Sequence, residues 1–106
     1  MESNRYRNKV VLITGASSGI GKLLKDYFLN ERATVFSFSR KEILDTNPLF
    51  FHYKGDVTKS EDVANLMYNI RKTKKRLDIV INNAGIASMN AALLTPADTA
   101  KNIVDV

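Results

Sequence analysis

Two short stretches carry residues whose types and spacing could do chemistry. The first is Thr14-Gly15-Ala16-Ser17-Ser18-Gly19-Ile20-Gly21, and the second is Asn82-Asn83-Ala84-Gly85. A glycine-rich turn that opens a helix leaves several backbone N–H groups pointing outward, where the helix dipole adds positive potential. Such a turn is a seat for phosphate. The three glycines have separate steric reasons: Gly15 for a sharp turn, Gly19 for close approach of a pyrophosphate, and Gly21 for close packing of the helix on the strand. In the second stretch, asparagine side chains can bridge backbone groups and hold a loop open. Ala84 and Gly85 are small enough for a ligand to lie against the chain.

The surrounding elements must hold these stretches at one edge. Before the glycine turn, Lys9-Val10-Val11-Leu12-Ile13 is a continuous apolar run suited to a strand buried on both faces. After it, Ile20, Leu23, Leu24, Tyr27 and Phe28 recur at helical spacing and mark one packed face. Thr34-Val35-Phe36-Ser37-Phe38 reads as a second strand, Phe50-Phe51-His52-Tyr53 as a third and Leu77-Asp78-Ile79-Val80-Ile81 as a fourth. Residues 41–48 suggest a loop or poorly formed helix. Thr58 and Glu61 have the spacing of a capping box for a helix over about 59–72. Thr95 and Pro96 have the cap and first-turn chemistry of a further helix.

The glycine spacing T-G-x-x-x-G-x-G, placed between a strand and a helix, resembles that of the short-chain dehydrogenase/reductase family. Asn82-Asn83-Ala84-Gly85 at the end of the fourth strand is a second match, and the resemblance runs from about Lys9 to Val106. It implies an α/β fold, a Rossmann-type doubly wound parallel sheet of order 3-2-1-4 with right-handed crossovers, represented here by its cofactor-binding half. It also implies hydride transfer between a nicotinamide dinucleotide and a carbonyl or alcohol substrate. On this pattern the cofactor-binding residues are Gly15, Ala16, Ser17, Ser18, Gly19, Ile20 and Gly21 at the diphosphate, with Asp56 and Val57 at the adenine. Asn83, Ala84 and Gly85 flank the ribose, and Asn82 is at least partly structural.

The end of the second strand bears on which dinucleotide is taken. Dinucleotide-binding folds that prefer NAD carry an acid here, hydrogen-bonded to the adenosine ribose. In this chain Ser39 stands at that position and Arg40 follows, offering forked donors to a 2′-phosphate. The expectation is NADP(H) in preference to NAD(H), set against the plainer reading of Arg40 as an exposed loop cation.

No catalytic residue is assigned within the chain. The serine, tyrosine and lysine that the resemblance implies belong beyond Val106, and the asparagine of the family's proton relay falls one position past Val106 rather than at Asn102. Tyr68 and Lys72 have the Y-x-x-x-K spacing, yet they lie in the C-terminal half of a crossover helix. That half runs toward the wrong edge of the sheet. His52, the single histidine, sits in an aromatic strand and reads as a packing or surface residue.

A chain of 106 residues, 44% hydrophobic and 25% charged, suits one small globular unit spanning residues 1–106. The absence of cysteine excludes disulfides and thiolate metal sites. The basic opening residues lack an apolar segment behind them, and no run reaches membrane-spanning length, so the expectation is a cytoplasmic protein with neither membrane nor nucleic acid as partner. The net charge of +5 is concentrated in Arg71-Lys72-Thr73-Lys74-Lys75-Arg76, which reads as a solvated helix end without aromatic residues to stack bases. A sheet of four strands leaves the fourth strand as an open edge. Either the chain is a fragment of a longer polypeptide or the edge pairs with another copy or chain. The alternative to a reductase half is a truncated, non-catalytic dinucleotide-binding or interaction module.

Overall fold

The structure, a computed structural model, describes residues 5–16 and 19–83. Ser17, Ser18, Ala84 and Gly85, the expected helix start at Thr95-Pro96, and Asn102 lie outside the described residues.

Strand β1 (Val10–Thr14) leads through the glycine turn into α1 (Gly19–Asn30), followed by β2 (Thr34–Ser39), β3 (Phe50–Lys54), α2 (Ser60–Lys74) and β4 (Ile79–Asn82). Every pairing is parallel, in the order β3-β2-β1-β4. Leu12 lies opposite Phe36 on one side and Val80 on the other. A strand flanked by parallel neighbours and covered on both faces must be apolar throughout, and β1 is buried along its whole length.

The two faces carry separate cores. Val10, Leu12, Phe36, Phe38 and Val80 pack against Val63, Leu66, Met67 and Ile70 of α2. Val11, Ile13, Val35, Ile79 and Ile81 meet Phe28 and Leu29 of α1, with Ile43, Leu49 and Phe50 closing the same side. The helices therefore cover opposite faces, as expected of a doubly wound sheet. Between β2 and β3 no helix forms; the stretch 40–49 crosses the α1 face as a loop.

Two local expectations are corrected. The buried face of α1 is Gly21, Lys25, Phe28 and Leu29, while Ile20 and Leu23 are 67% and 70% exposed. Gly21 decides this rotation. A Cβ there would collide with the Gly15 carbonyl oxygen and sit 2.8 Å from Ala16 Cα, so this position alone can face the turn at that approach. With Gly21 inward, residues four, seven and eight further on share its side at 100° per residue. Lys25 follows inward because its Nζ reaches Asp45 at 2.6 Å and Asp26 at 3.1 Å, lying 5.1 Å from the Phe50 ring centre.

The capping box at Thr58 and Glu61 does not form. The N-cap of α2 is Lys59, without a side-chain cap bond. Thr58 instead turns back, its amide and hydroxyl both donating to Asp56 Oδ1 at 2.9 and 2.7 Å. Asp62, rather than Glu61, reaches out of the helix and accepts the Asp56 amide at 2.9 Å. With its hydroxyl committed to Asp56, Thr58 forms a local side-chain turn instead of the cap.

At its far end α2 carries Arg71, Lys72 and Lys74 in the last turn and stops at Lys75, whose φ of 62° directs its N–H to the Arg71 carbonyl. Cations belong at this end of the dipole. Tyr68 and Lys72 lie on the part of α2 that leads toward the amino end of β4, away from the glycine turn, with Lys72 Nζ 5.9 Å from the Tyr68 ring centre.

Candidate dinucleotide site

The carboxyl ends of the parallel strands meet along one rim, and the backbone there is stitched across strands. The Gly15 amide donates to the Phe38 carbonyl at 3.1 Å, and the Gly55 amide to the Ser39 carbonyl at 2.9 Å. Gly15 has φ +73°, a conformation that β-carbon side chains resist. Beside it, Thr14 Oγ1 donates to the buried Asn82 Oδ1 at 3.2 Å, and Asn83 Nδ2 donates to the Gly15 carbonyl at 3.3 Å. The Asn82-Asn83 pair thus braces the turn from β4.

Gly19 differs from the other turn glycines. Its φ is +37°, and a Cβ built there would meet nothing within 4 Å. Among the described residues nothing crowds the first residue of α1, which stands at the positive end of the helix. Ala16 is buried at 1% exposure, whereas Ile20 stands outward.

A cleft of about 470 Å³ adjoins the turn, running from Gly15 across Phe38, Ser39, Arg40 and Lys41 to Gly55 and Val57. Phe38 and Gly55 are matched: a Cβ on Gly55 would lie 2.6 Å from the Phe38 ring. Arg40 is exposed at the cleft's outer side. Asp56 follows Gly55, its Oδ1 taken by Thr58; those bonds hold its carboxyl below the usual carboxylate range, and the nearby Arg40 charge adds to the effect. Ser39, in the acid position, donates its hydroxyl to the Lys41 carbonyl at 3.0 Å.

Of the site residues expected from sequence, the structure gathers Gly15, Ala16, Gly19, Ile20, Gly21, Arg40, Asp56, Val57 and Asn83 along this rim. Ser17, Ser18, Ala84 and Gly85 are the outstanding members, outside the described residues. Phe38 and Lys41 join the cleft without having been expected there, and Gly55 opens the segment that includes Asp56 and Val57. The available signal was a glycine just past the end of β3, one residue beyond the Lys54 that pairs with Ser39.

The opposite rim carries a different surface. A cleft of about 440 Å³ there is lined by Arg7, Arg32, Lys74 and Arg76 among others, with Arg76 paired to Asp78 at 2.6 Å. These cations lie at the amino ends of the strands, away from the glycine turn.

The short chain dehydrogenase family model matches residues 9–106. The chain belongs to that family. It is 33% identical over 91 residues to the NAD-dependent glycerol dehydrogenase of Listeria innocua, covering 80% of this chain and 36% of that protein. Among solved structures, it resembles a short chain dehydrogenase from Leptospira borgpetersenii with bound NAD+, with a TM-score of 0.71, 30% identity, and 80% and 34% of the two chains covered. The ligand-free aldohexose dehydrogenase of Thermoplasma acidophilum gives a TM-score of 0.70 at 32% identity, over 78% and 32%. The chain spans about a third of the length of these relatives.

Proposed function

We propose that this chain supplies the cofactor half of a short-chain oxidoreductase that takes NADP(H) in preference to NAD(H) and acts on a carbonyl or alcohol. The observation that carries the cofactor preference is the pair at the end of β2: Ser39 in place of an acid, followed by exposed Arg40 on the cleft. A ribose bearing a 2′-phosphate meets a guanidinium there rather than a carboxylate. The Listeria relative is named for NAD and the Leptospira structure holds NAD+, so the preference rests on this chain's own residues.

The open space at Gly19 and the dipole of α1 suit the diphosphate, and Phe38, Gly55 and Val57 form a slot of suitable chemistry for the adenine. When bound, the dinucleotide supplies or accepts hydride. The described residues bind and orient it, and the proton-transfer set is assigned to positions after Val106, as the family resemblance implies. A substrate carrying a hydroxyl or carbonyl accords with relatives named for glycerol and aldohexose.

Calorimetric titration of NADPH and NADH tests the reading. NADPH should bind the more tightly, and Arg40→Asp should cost it about tenfold to a hundredfold, the value of a charge-assisted hydrogen bond, with little loss for NADH. Equal affinities in the wild type would defeat the preference.

A further inference from the structure

His52 is joined by both ring nitrogens to groups that matter to the nucleotide cleft. Its Nδ1 lies 2.6 Å from Ser37 Oγ, and its Nε2 lies 2.7 Å from the Lys41 carbonyl oxygen. A carbonyl only accepts, so in the neutral ring Nε2 carries the hydrogen and Nδ1 accepts the Ser37 hydroxyl. Ser37 is fully buried in β2 and in register with His52 of β3. The ring is thereby held from inside the sheet and reaches out to the first turn beyond it.

That turn carries Arg40. No helix forms over residues 40–49, so side-chain bonds and the Gly55 amide on the Ser39 carbonyl, rather than a helical ladder, hold this turn. The same Lys41 carbonyl also accepts from Ser39 Oγ at 3.0 Å, so the peptide immediately after Arg40 is gripped twice. Farther along, Lys25 holds Asp45 at 2.6 Å. Binding a phosphate with a long, exposed side chain costs ordering entropy, and a backbone already fixed reduces that cost.

We propose that His52 is a positioning residue for nucleotide selection: through Ser37 on one side and the Lys41 carbonyl on the other, it fixes the turn that presents Arg40 to a ribose 2′-phosphate. The inference rests on the reading of Arg40 given above. It makes a histidine that touches no ligand part of the cofactor preference.

The test uses His52→Phe, which keeps a ring beside Phe50 and loses both hydrogen bonds, and His52→Gln, whose amide nitrogen stands in for Nε2. Two readouts are taken: backbone order parameters at Arg40, Lys41 and Glu42, and affinities for adenosine 2′,5′-bisphosphate and AMP. His52→Phe should lower the order parameters from about 0.85 to below about 0.6. It should also reduce the bisphosphate-to-AMP affinity ratio about tenfold, the worth of a hydrogen bond, and His52→Gln should restore most of both. Unchanged order parameters in His52→Phe would overturn the proposal, as would an unchanged ratio in a protein whose wild type favours the bisphosphate. A wild type that does not favour the bisphosphate, with order still lost in His52→Phe, would instead refute the Arg40 reading while leaving His52 as the anchor of the turn.

Discussion

The side-chain amide of Asn83 donates to the backbone carbonyl of Gly15 across 68 positions of sequence, so the end of β4 holds the shape of the turn that follows β1. Its neighbour Asn82, fully buried, accepts the Thr14 hydroxyl at its Oδ1 and ties the last residue of β1 to β4. The roles separate by burial. Asn82→Ala should cost about 1–3 kcal/mol of stability, as expected for breaking a buried hydrogen bond. Asn83→Ala should change the denaturation midpoint much less and weaken dinucleotide binding more. Paired chemical denaturation and NADPH titration of the two variants measure both effects.

Gly19 and Gly21 make opposite demands on a methyl group. At Gly21 the methyl meets the backbone of Gly15 and Ala16, so Gly21→Ala should lose about 1–3 kcal/mol or more by overpacking, with binding lost as a consequence of misfolding. At Gly19 there is room, and only the positive φ resists, at about 1–2 kcal/mol. Gly19→Ala should therefore remain folded by circular dichroism yet bind NADPH poorly, because the methyl occupies the space assigned to the diphosphate.

The fit between Gly55 and Phe38 predicts a compensated pair. Gly55→Ala drives a methyl into the Phe38 ring and should destabilise by about 1–3 kcal/mol. Phe38→Leu in the same chain should recover part of that loss, so the double-mutant cycle in thermal denaturation should show coupling. Simple additivity would mean that the strain is relieved elsewhere.

Acid should weaken the fold from near pH 4 downward. The hydrogen bond from Lys25, with that from the Asn47 amide, holds the Asp45 carboxyl below its ordinary value of 3.8. Burial pushes Asp78 up, but Arg76 and the Val10 amide pull it down further, to a net lowering. A carboxylate depressed in the folded state stabilises above its unfolded value, and that contribution is lost as pH falls through the folded one. Lys25 behaves in the reverse sense: burial opposes its charge, but Asp45 and Asp26 more than offset this and raise it above 10.5. Its contribution is complete below that pH and lost above it. Lys25→Met should remove the alkaline limb and only the Asp45 share of the acid limb, leaving that of Asp78, in urea denaturation midpoints followed against pH.

The strands were legible because a parallel sheet covered on both faces demands unbroken apolar runs, and Val10 to Ile13 and Ile79 to Ile81 supply them. The rotation of α1 was not. Hydrophobic spacing favoured Ile20 and Leu23, whereas close approach at Gly21 governed, and Lys25 reads as polar until Asp45 is seen beside it. The start of α2 failed for a related reason: Asp56 and Asp62 both claim the turn, and no spacing rule ranks them over Thr58 and Glu61. Within the site, the motif residues could be named from the chain. Phe38, Gly55 and the His52 tether depend on which strand ends lie side by side, which register alone reveals.

On the proposed reading, the glycine turn and the end of β2 together receive NADP(H). Titrating the 15N-labelled protein with NADPH and following each backbone amide tests it most directly. The largest shifts should fall at Gly15, Gly19, Gly21, Arg40 and Gly55. Shifts centred instead on Asn8, Arg32 and Lys74 at the opposite, basic rim, or no saturable shifts at all, would contradict it.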